Sequence, residues 1–279
     1  MLLQRVITAV VLLALLLPTL WVATPWPFAL LTLLLIAAAG WEWSRLNGVA
    51  AVAAIGPGVL LATAGLWAVF TGSVTRVPTV AWQVGLAAWL VLGAVALRGG
   101  PAAWSRWPAV VRLALGLLAL WLAWLALAGA RAVGVNFLLS TLCLVWVADI
   151  GAYAAGRAFG QRKLAPTISP GKSWEGVAGG MVCVLILAAL WALVIDLQWP
   201  VDSPSLYTQL VVRFGWAGLV PLIVLLTGFS VVGDLFESLV KRAAGAKDSS
   251  RLLPGHGGVL DRVDALLPVL PIAMALTAV

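Results

Sequence analysis

Charge is what this sequence has least of. Of its 279 residues only 10% are Asp, Glu, Lys or Arg, against about 25% in an average globular protein. Histidine occurs once, and tyrosine and cysteine twice each. A chain so poor in charge and 63% hydrophobic cannot cover itself with a soluble surface, which excludes a water-soluble globular protein. Cys143 and Cys183 each lie inside an apolar run, form no CxxC pair and stand far along the chain from His256. That argues against a disulfide framework and against a zinc site. The net charge is +7, yet no basic arm or stripe carries it, so nucleic acid is not the expected partner. Ten-residue segments alternating apolar with polar are missing too, which excludes a transmembrane barrel.

What is present is long apolar sequence. Segments 6–24, 26–40, 49–70, 80–97, 110–128, 133–150, 177–195, 215–233 and 262–279 are solidly hydrophobic. They predict an all-α, polytopic integral membrane protein of about nine transmembrane helices in a lipid bilayer. Residues 1–24 read as the first of these helices, because a cut after Thr24 lacks the small-x-small pattern of a cleaved signal. With a cytoplasmic amino terminus and nine crossings, Arg5 and thirteen other basic residues fall inside. Only Arg76, Arg131 and Arg213 fall outside, as the positive-inside rule expects for a cell-membrane protein.

Two organisational halves follow. Residues 1–130 form a hydrophobic helical scaffold of about five spans, whose one acid is Glu42. Residues 131–279 contain two polar segments, 151–176 and 234–261, which the topology sends to the cytoplasmic face. Seven of the ten carboxylates (Asp149, Glu175, Asp234, Glu237, Asp248, Asp261 and Asp264) lie in or beside those segments, and chemistry is expected there.

In the first segment, Ser169-Pro170-Gly171-Lys172-Ser173 leads towards a helix. It is not a Walker A loop, since Pro166 stands where that motif needs glycine and no buried strand precedes it. Two readings stay open: a turn whose free amides and Lys172 receive a phosphate, or an ordinary helix start capped by Ser173 with Glu175 in its first turn. Asp149 ends an apolar helix, where a carboxylate is costly unless it faces a cavity or a cation. In the second segment, spacings of three, four and seven put Asp234, Glu237, Ser238 and Lys241 on one helical face, with Asp261 and Asp264 one turn apart further on. Oxygen ligands without soft donors favour a hard cation such as Mg2+. His256, between Gly255, Gly257 and Gly258, stands where the backbone can approach a ligand closely.

These residues resemble a known signature. The run Ser238-Leu239-Val240-Lys241-Arg242, then Lys247-Asp248, Pro254-Gly255-His256-Gly257-Gly258, Leu260-Asp261-Arg262 and Asp264 resembles that of the phosphatidate cytidylyltransferases, the CDP-diacylglycerol synthases. Ile168 to Gly176 and Gly233-Asp234-Leu235 are similar to two further motifs of that family. The resemblance covers about residues 149–264 and implies an enzyme joining CTP and phosphatidate into CDP-diacylglycerol and pyrophosphate. It also implies a homodimer that uses magnesium, with Asp234 and Asp261 as leading metal ligands and a second, monovalent cation such as K+ beside them. On that reading Asp264, Asp149 and Glu237 support the metal, while Lys172, Lys241, Arg242, Lys247 and Arg262 clamp phosphates. Asp248 and His256 belong to the same catalytic group, and Ser169, Ser173, Ser238, Gly257 and Gly258 to the substrate-binding one. A lipid phosphate monoester has a second pKa near 6, so it attacks already ionised and His256 is not required as a base. A relative with another lipid acceptor or a CTP-dependent lipid kinase would share this headgroup chemistry. A CDP-alcohol phosphotransferase would need an Asp-Gly-x-x-Ala-Arg run that the chain lacks, and a transporter would carry its charges at mid-bilayer.

Overall fold

The computed structural model describes residues 2–278, and most of them are helical, with very little strand. Helices α1 (Leu2–Trp21), α2 (Trp26–Leu46) and α3 (Ile55–Phe70) are followed by α4 (Thr79–Ala88) and α5 (Ala94–Arg106), which a π-helical turn at Trp89–Gly93 joins. Next come α6 (Ala109–Val133), α7 (Val135–Phe159), strands β1 (Lys163–Ala165) and β2 (Ser169–Ser173), and α8 (Trp174–Leu190). The chain closes with the short α9 (Asp196–Gln198), the long α10 (Leu206–Ala243), α11 (Leu260–Val263) and α12 (Leu266–Thr277). The side chain of Arg5, one of the bases assigned to the inner face, and Val279, the end of the last expected span, lie outside the described residues.

All nine apolar segments contain a helix, and the multi-pass, all-α class is what the chain forms. Six helical stretches among the described residues are long and apolar enough to cross a bilayer: Trp26–Leu46, Thr79–Arg106, Ala109–Val133, Val135–Phe159, Trp174–Gln198 and Leu206–Ala243. The apolar part of α1 (Val6–Trp21) and α3 are shorter than the ~20 residues a straight crossing takes, and α12 reaches only ~18 Å at ~1.5 Å per residue. α10 is not one straight rod, because Gly215 leaves helical geometry at φ 70°, ψ 173° and separates a short first piece from a long second one.

Small residues decide how the site-bearing helices meet. α7 and α8 pack closely along Gly151, Ala152 and Gly156 on one side and Gly176 and Gly180 on the other. A Cβ at Gly176 or Gly180 would lie 2.7 Å from the carbonyl oxygen of Ala152 or Ala148, so only glycine allows this approach. Without a hydrophobic drive between helices in lipid, such backbone contact is what holds them. Gly233 plays the same part on α10, where a Cβ would meet the Asp264 carbonyl at 2.4 Å, and so lets the α11–α12 turn lie against the helix that carries Asp234 and Glu237. At the opposite end, Asp202 accepts from the amides of Val135 (2.6 Å) and Asn136 (3.0 Å), supplying the start of α7 with an acceptor. Asp196 takes the Asn136 side chain at 2.8 Å and the Ser205 hydroxyl at 2.6 Å.

Many of the tryptophans are core rather than lipid-facing wall. Trp43, Trp104 and Trp124 are at most 1% exposed, and each donates its indole N–H, to the Arg112 carbonyl, the Asn47 side chain and the Ala29 carbonyl respectively. Trp43 also stacks on Phe236 at 5.9 Å, which ties α2 to the face of α10 behind the site.

Candidate active site

Residues 163–173 form an antiparallel hairpin, β1 against β2, where the sequence predicts a turn. Its last residue, Ser173, accepts from the Gly176 amide at 3.2 Å and caps α8. The capped helix start is therefore the geometry present, and it still leaves the Lys172 side chain free to reach across. Lys172 Nζ lies 2.5 Å from Asp234 Oδ2, so the two polar segments meet side chain to side chain. Asp149, Ser169, Lys172, Ser173 and Asp234 line one cleft of about 520 Å³, together with Tyr153 and Arg157. Its polar mouth lies at the hairpin, while Ala148, Gly180 and Val231, further into the bundle, make a largely apolar floor that also holds the buried Thr227 hydroxyl.

A second cluster adjoins it. The Lys241 ammonium sits between Glu237, four residues back on α10, and Asp261 at 2.6 Å. Glu237 is buried, and neither of its oxygens receives a hydrogen bond of ordinary geometry, leaving Lys241 as its partner. Asp261 is better supplied, accepting at Oδ2 from the amides of Ser249 (2.9 Å) and Gly258 (2.8 Å) and from the Ser249 hydroxyl (2.8 Å). Burial works to raise its carboxyl, but the Lys241 ammonium and the Gly258 and Ser249 amides outweigh this and hold it down at about 2. Asp264 lies within electrostatic reach of Asp234 and of both lysines, and Asp149 within reach of Asp234 and Lys172. Ser238 donates to Asp234 at 3.3 Å. Asp149, Asp234, Asp264, Glu237 and Asp261 thus form a chain of acids threaded by two lysines.

Other expected site residues stand elsewhere. Lys247 and Asp248 line a separate cleft of about 710 Å³ with Trp41, Arg45 and Arg251. Arg242 donates to the carbonyls of Ile168 (3.4 Å) and Ala246 (3.2 Å), fastening the hairpin to the end of α10. Arg262 donates to the His256 carbonyl at 2.5 and 3.1 Å. The imidazole of His256 keeps Nδ1 buried without a partner, and Gly257 turns the chain at φ +84°. The sequence reading missed Glu42, Ser249 and Ser250, which bind one another beneath the loop. For Glu42 a signal existed: a lone carboxylate in an apolar helix is costly and by default has a partner.

The two polar segments, one from either side of α8, therefore converge on one carboxylate-lysine site at the polar end of a membrane bundle. A model of the cytidylyltransferase family matches residues 3–279. This chain belongs to the cytidylyltransferase family. It is similar to the phosphatidate cytidylyltransferase of Pseudomonas aeruginosa, 40% identical over 281 residues, 99% of this chain and 97% of that protein. The phosphatidate cytidylyltransferase of Haemophilus influenzae is 49% identical over 138 residues, 50% of this chain and 44% of that one. That of Bacillus subtilis is 41% identical over 145 residues, 52% and 48% of the two chains. Family membership covers the amino-terminal half as well as the motif region, further than the resemblance from the motifs alone reaches.

Proposed function

We propose that this cytidylyltransferase joins CTP to phosphatidate, giving CDP-diacylglycerol and pyrophosphate, at the end of the bundle where Lys172 meets Asp234. The observation that carries this reading is the cleft itself. A polar mouth with Lys172, Arg157, Ser169 and Ser173 opens above a largely apolar floor within the helices, which suits a molecule with an anionic head and acyl chains left in lipid. CTP reaches the same mouth from water. The orientation proposed is cytoplasmic for the amino terminus and the site, in the cell membrane, and the assembly proposed is a homodimer.

In the reaction a phosphatidate oxygen forms a bond to the α-phosphorus of CTP while the α–β bridging bond breaks and pyrophosphate leaves. The attacking monoester is ionised near neutral pH, so no side chain need remove its proton, and His256 serves the loop rather than a base role. Lys172 neutralises charge at the cleft mouth, and Lys241, held between Glu237 and Asp261, is the second cation of the proposed site. The residues fit magnesium by donor chemistry. The candidate ligating atoms are carboxylate oxygens, Glu237 keeps Oε1 without a partner while Oε2 faces the Lys241 ammonium, and a hard cation of this size usually takes one or two carboxylates and completes its shell with water and substrate phosphate. Among the described residues no group of three His, Cys, Asp or Glu forms a ready-made cage. Asp234 and Asp261 would hold the ion, with Asp264, Asp149 and Glu237 alongside and a monovalent cation such as K+ as a second guest. Bound there, the metal supplies positive charge against the triphosphate and the departing pyrophosphate.

The test uses purified protein in detergent with Mg2+, CTP labelled in the cytidine, and a panel of lipid phosphates and lipid alcohols. Label in a CDP-lipid with release of pyrophosphate is the expected result. Release of CDP with a newly phosphorylated lipid, or no turnover, overturns the proposal.

A further inference from the structure

The carboxylate of Glu42 lies in α2, far along the chain from both polar segments, and is fully buried. Four donors converge on it. Oε1 accepts from the Ser250 hydroxyl at 2.5 Å and the Val259 amide at 3.0 Å; Oε2 accepts from the Leu260 amide at 2.7 Å and the Ser249 hydroxyl at 3.1 Å. The two amides open the turn that becomes α11, where backbone N–H groups have no partner within the helix. From Ser249 the network continues to Asp261. The Ser249 amide donates to Asp261 Oδ2, and its hydroxyl stands within hydrogen-bond distance of Asp261 (2.8 Å) as well as of Glu42. One hydroxyl proton serves one carboxylate at a time, while the amide serves Asp261 throughout. The fit is tight enough to exclude a side chain at Gly258, where a Cβ would lie 2.1 Å from Ser249 Oγ and 2.4 Å from Glu42 Oε1. Helix α1 adds a further hold, Thr8 donating to the Pro254 carbonyl at 2.9 Å.

We infer that Glu42 is a positioning residue for the reaction: it clamps both ends of the 249–260 loop onto α2 and so fixes Asp261 opposite Lys241. The inference rests on the proposed reaction and on Asp261 as a metal ligand. A carboxylate is required rather than any polar residue of that size. Each of its oxygens faces a backbone N–H, a donor that cannot reverse, so the –NH2 of a glutamine sets donor against donor at one end whichever way it turns. Glutamine keeps the volume, so Glu42→Gln removes the clamp without opening a cavity. Partners that orient a metal ligand typically change metal affinity or activity by about 10–100-fold when removed, and that is the scale expected.

The experiment compares wild type, Glu42→Gln and Ser249→Ala, each purified in detergent and checked by gel filtration. Two readouts are taken: the Mg2+ concentration giving half-maximal turnover, and the rate of trypsin cleavage after Arg251 in the loop relative to cleavage after Arg162 and Lys163 in the other polar segment. The expected result is that Glu42→Gln needs about tenfold more Mg2+ and is cut faster after Arg251 alone, with Ser249→Ala shifted the same way. An unchanged Mg2+ response, or faster cleavage in both segments together, overturns the inference, the second because it marks general loosening. If Glu42→Gln does not accumulate, Ser249→Ala carries both readouts and decides. Absence of CDP-lipid from wild type would defeat the proposed reaction, while the trypsin comparison would still decide whether the clamp exists.

Discussion

Lys241 is the most exposed to a quantitative test. Its ammonium lies between two carboxylates, with side-chain exposures of 13% for Lys241, 1% for Glu237 and 10% for Asp261. At that burial, solvent screens little and the behaviour of buried ion pairs applies rather than that of surface pairs. Lys241→Met keeps most of the stem's packing but removes the charge, leaving Glu237 with no partner and Asp261 with its Ser249 and Gly258 donors. Removing one member of a buried pair costs about 3–5 kcal/mol, and about 2–4 °C per kcal/mol is usual for chains of 150–250 residues. A fall of roughly 6–20 °C in the melting midpoint is expected on that scale, read from the intrinsic fluorescence of the sixteen tryptophans in detergent. The decisive comparison is the double variant Lys241→Met with Glu237→Gln. It removes the uncompensated charge with its partner, so the midpoint should return most of the way while turnover stays lost. A single variant that melts like wild type would refute the reasoning, as would a double variant that melts below the single one.

Lys172→Ala should behave in the opposite manner. Both ends of its pair with Asp234 are about a quarter exposed, at 25% and 28%, so melting should move by little more than ~1 kcal/mol equivalent, whereas kcat/KM should drop about 10²-fold through loss of a phosphate-facing charge. Normal kinetics in this variant would remove Lys172 from the site. Asp202 gives a pH dependence far from the chemistry. Burial works to raise its carboxyl, but the Asn136 and Val135 amides hold it below the usual range. Stability from this group is therefore present above about pH 4 and lost as pH falls through the lower folded value; Asp202→Asn should flatten that acid limb of the melting profile and leave turnover near pH 7 unchanged. For topology, single cysteines placed at 161 and 252 in a background with Cys143 and Cys183 replaced should label from one side of the membrane, and one at 199 from the other. Labelling of 161 and 252 from opposite sides would contradict the joining of the two polar segments.

The sequence by itself determined the solvent and the chemistry. Apolar runs far longer than a soluble core needs read directly as membrane helices, and of the seven acids concentrated in two segments, five meet in the candidate site while Glu175 and Asp248 do not. The helical spacing of Asp234, Glu237, Ser238 and Lys241 is local information, so their shared face was legible before any fold was known. Tertiary structure decided the rest. Lys172 meets Asp234 because glycines at 176 and 180 let α7 and α8 approach backbone to backbone, and because Arg242 fastens the hairpin to α10. No periodicity encodes that contact, which joins residues sixty-two apart. Nor could patterning show which basic residues would be occupied within the protein: Arg242 and Arg262 hold carbonyls, and Lys247 lines a different cleft. Glu42 marks the limit most clearly. Its type and apolar surroundings announced that a partner was needed, but its four donors lie more than two hundred residues further on, and only the packing of α2 beneath the loop brings them to it.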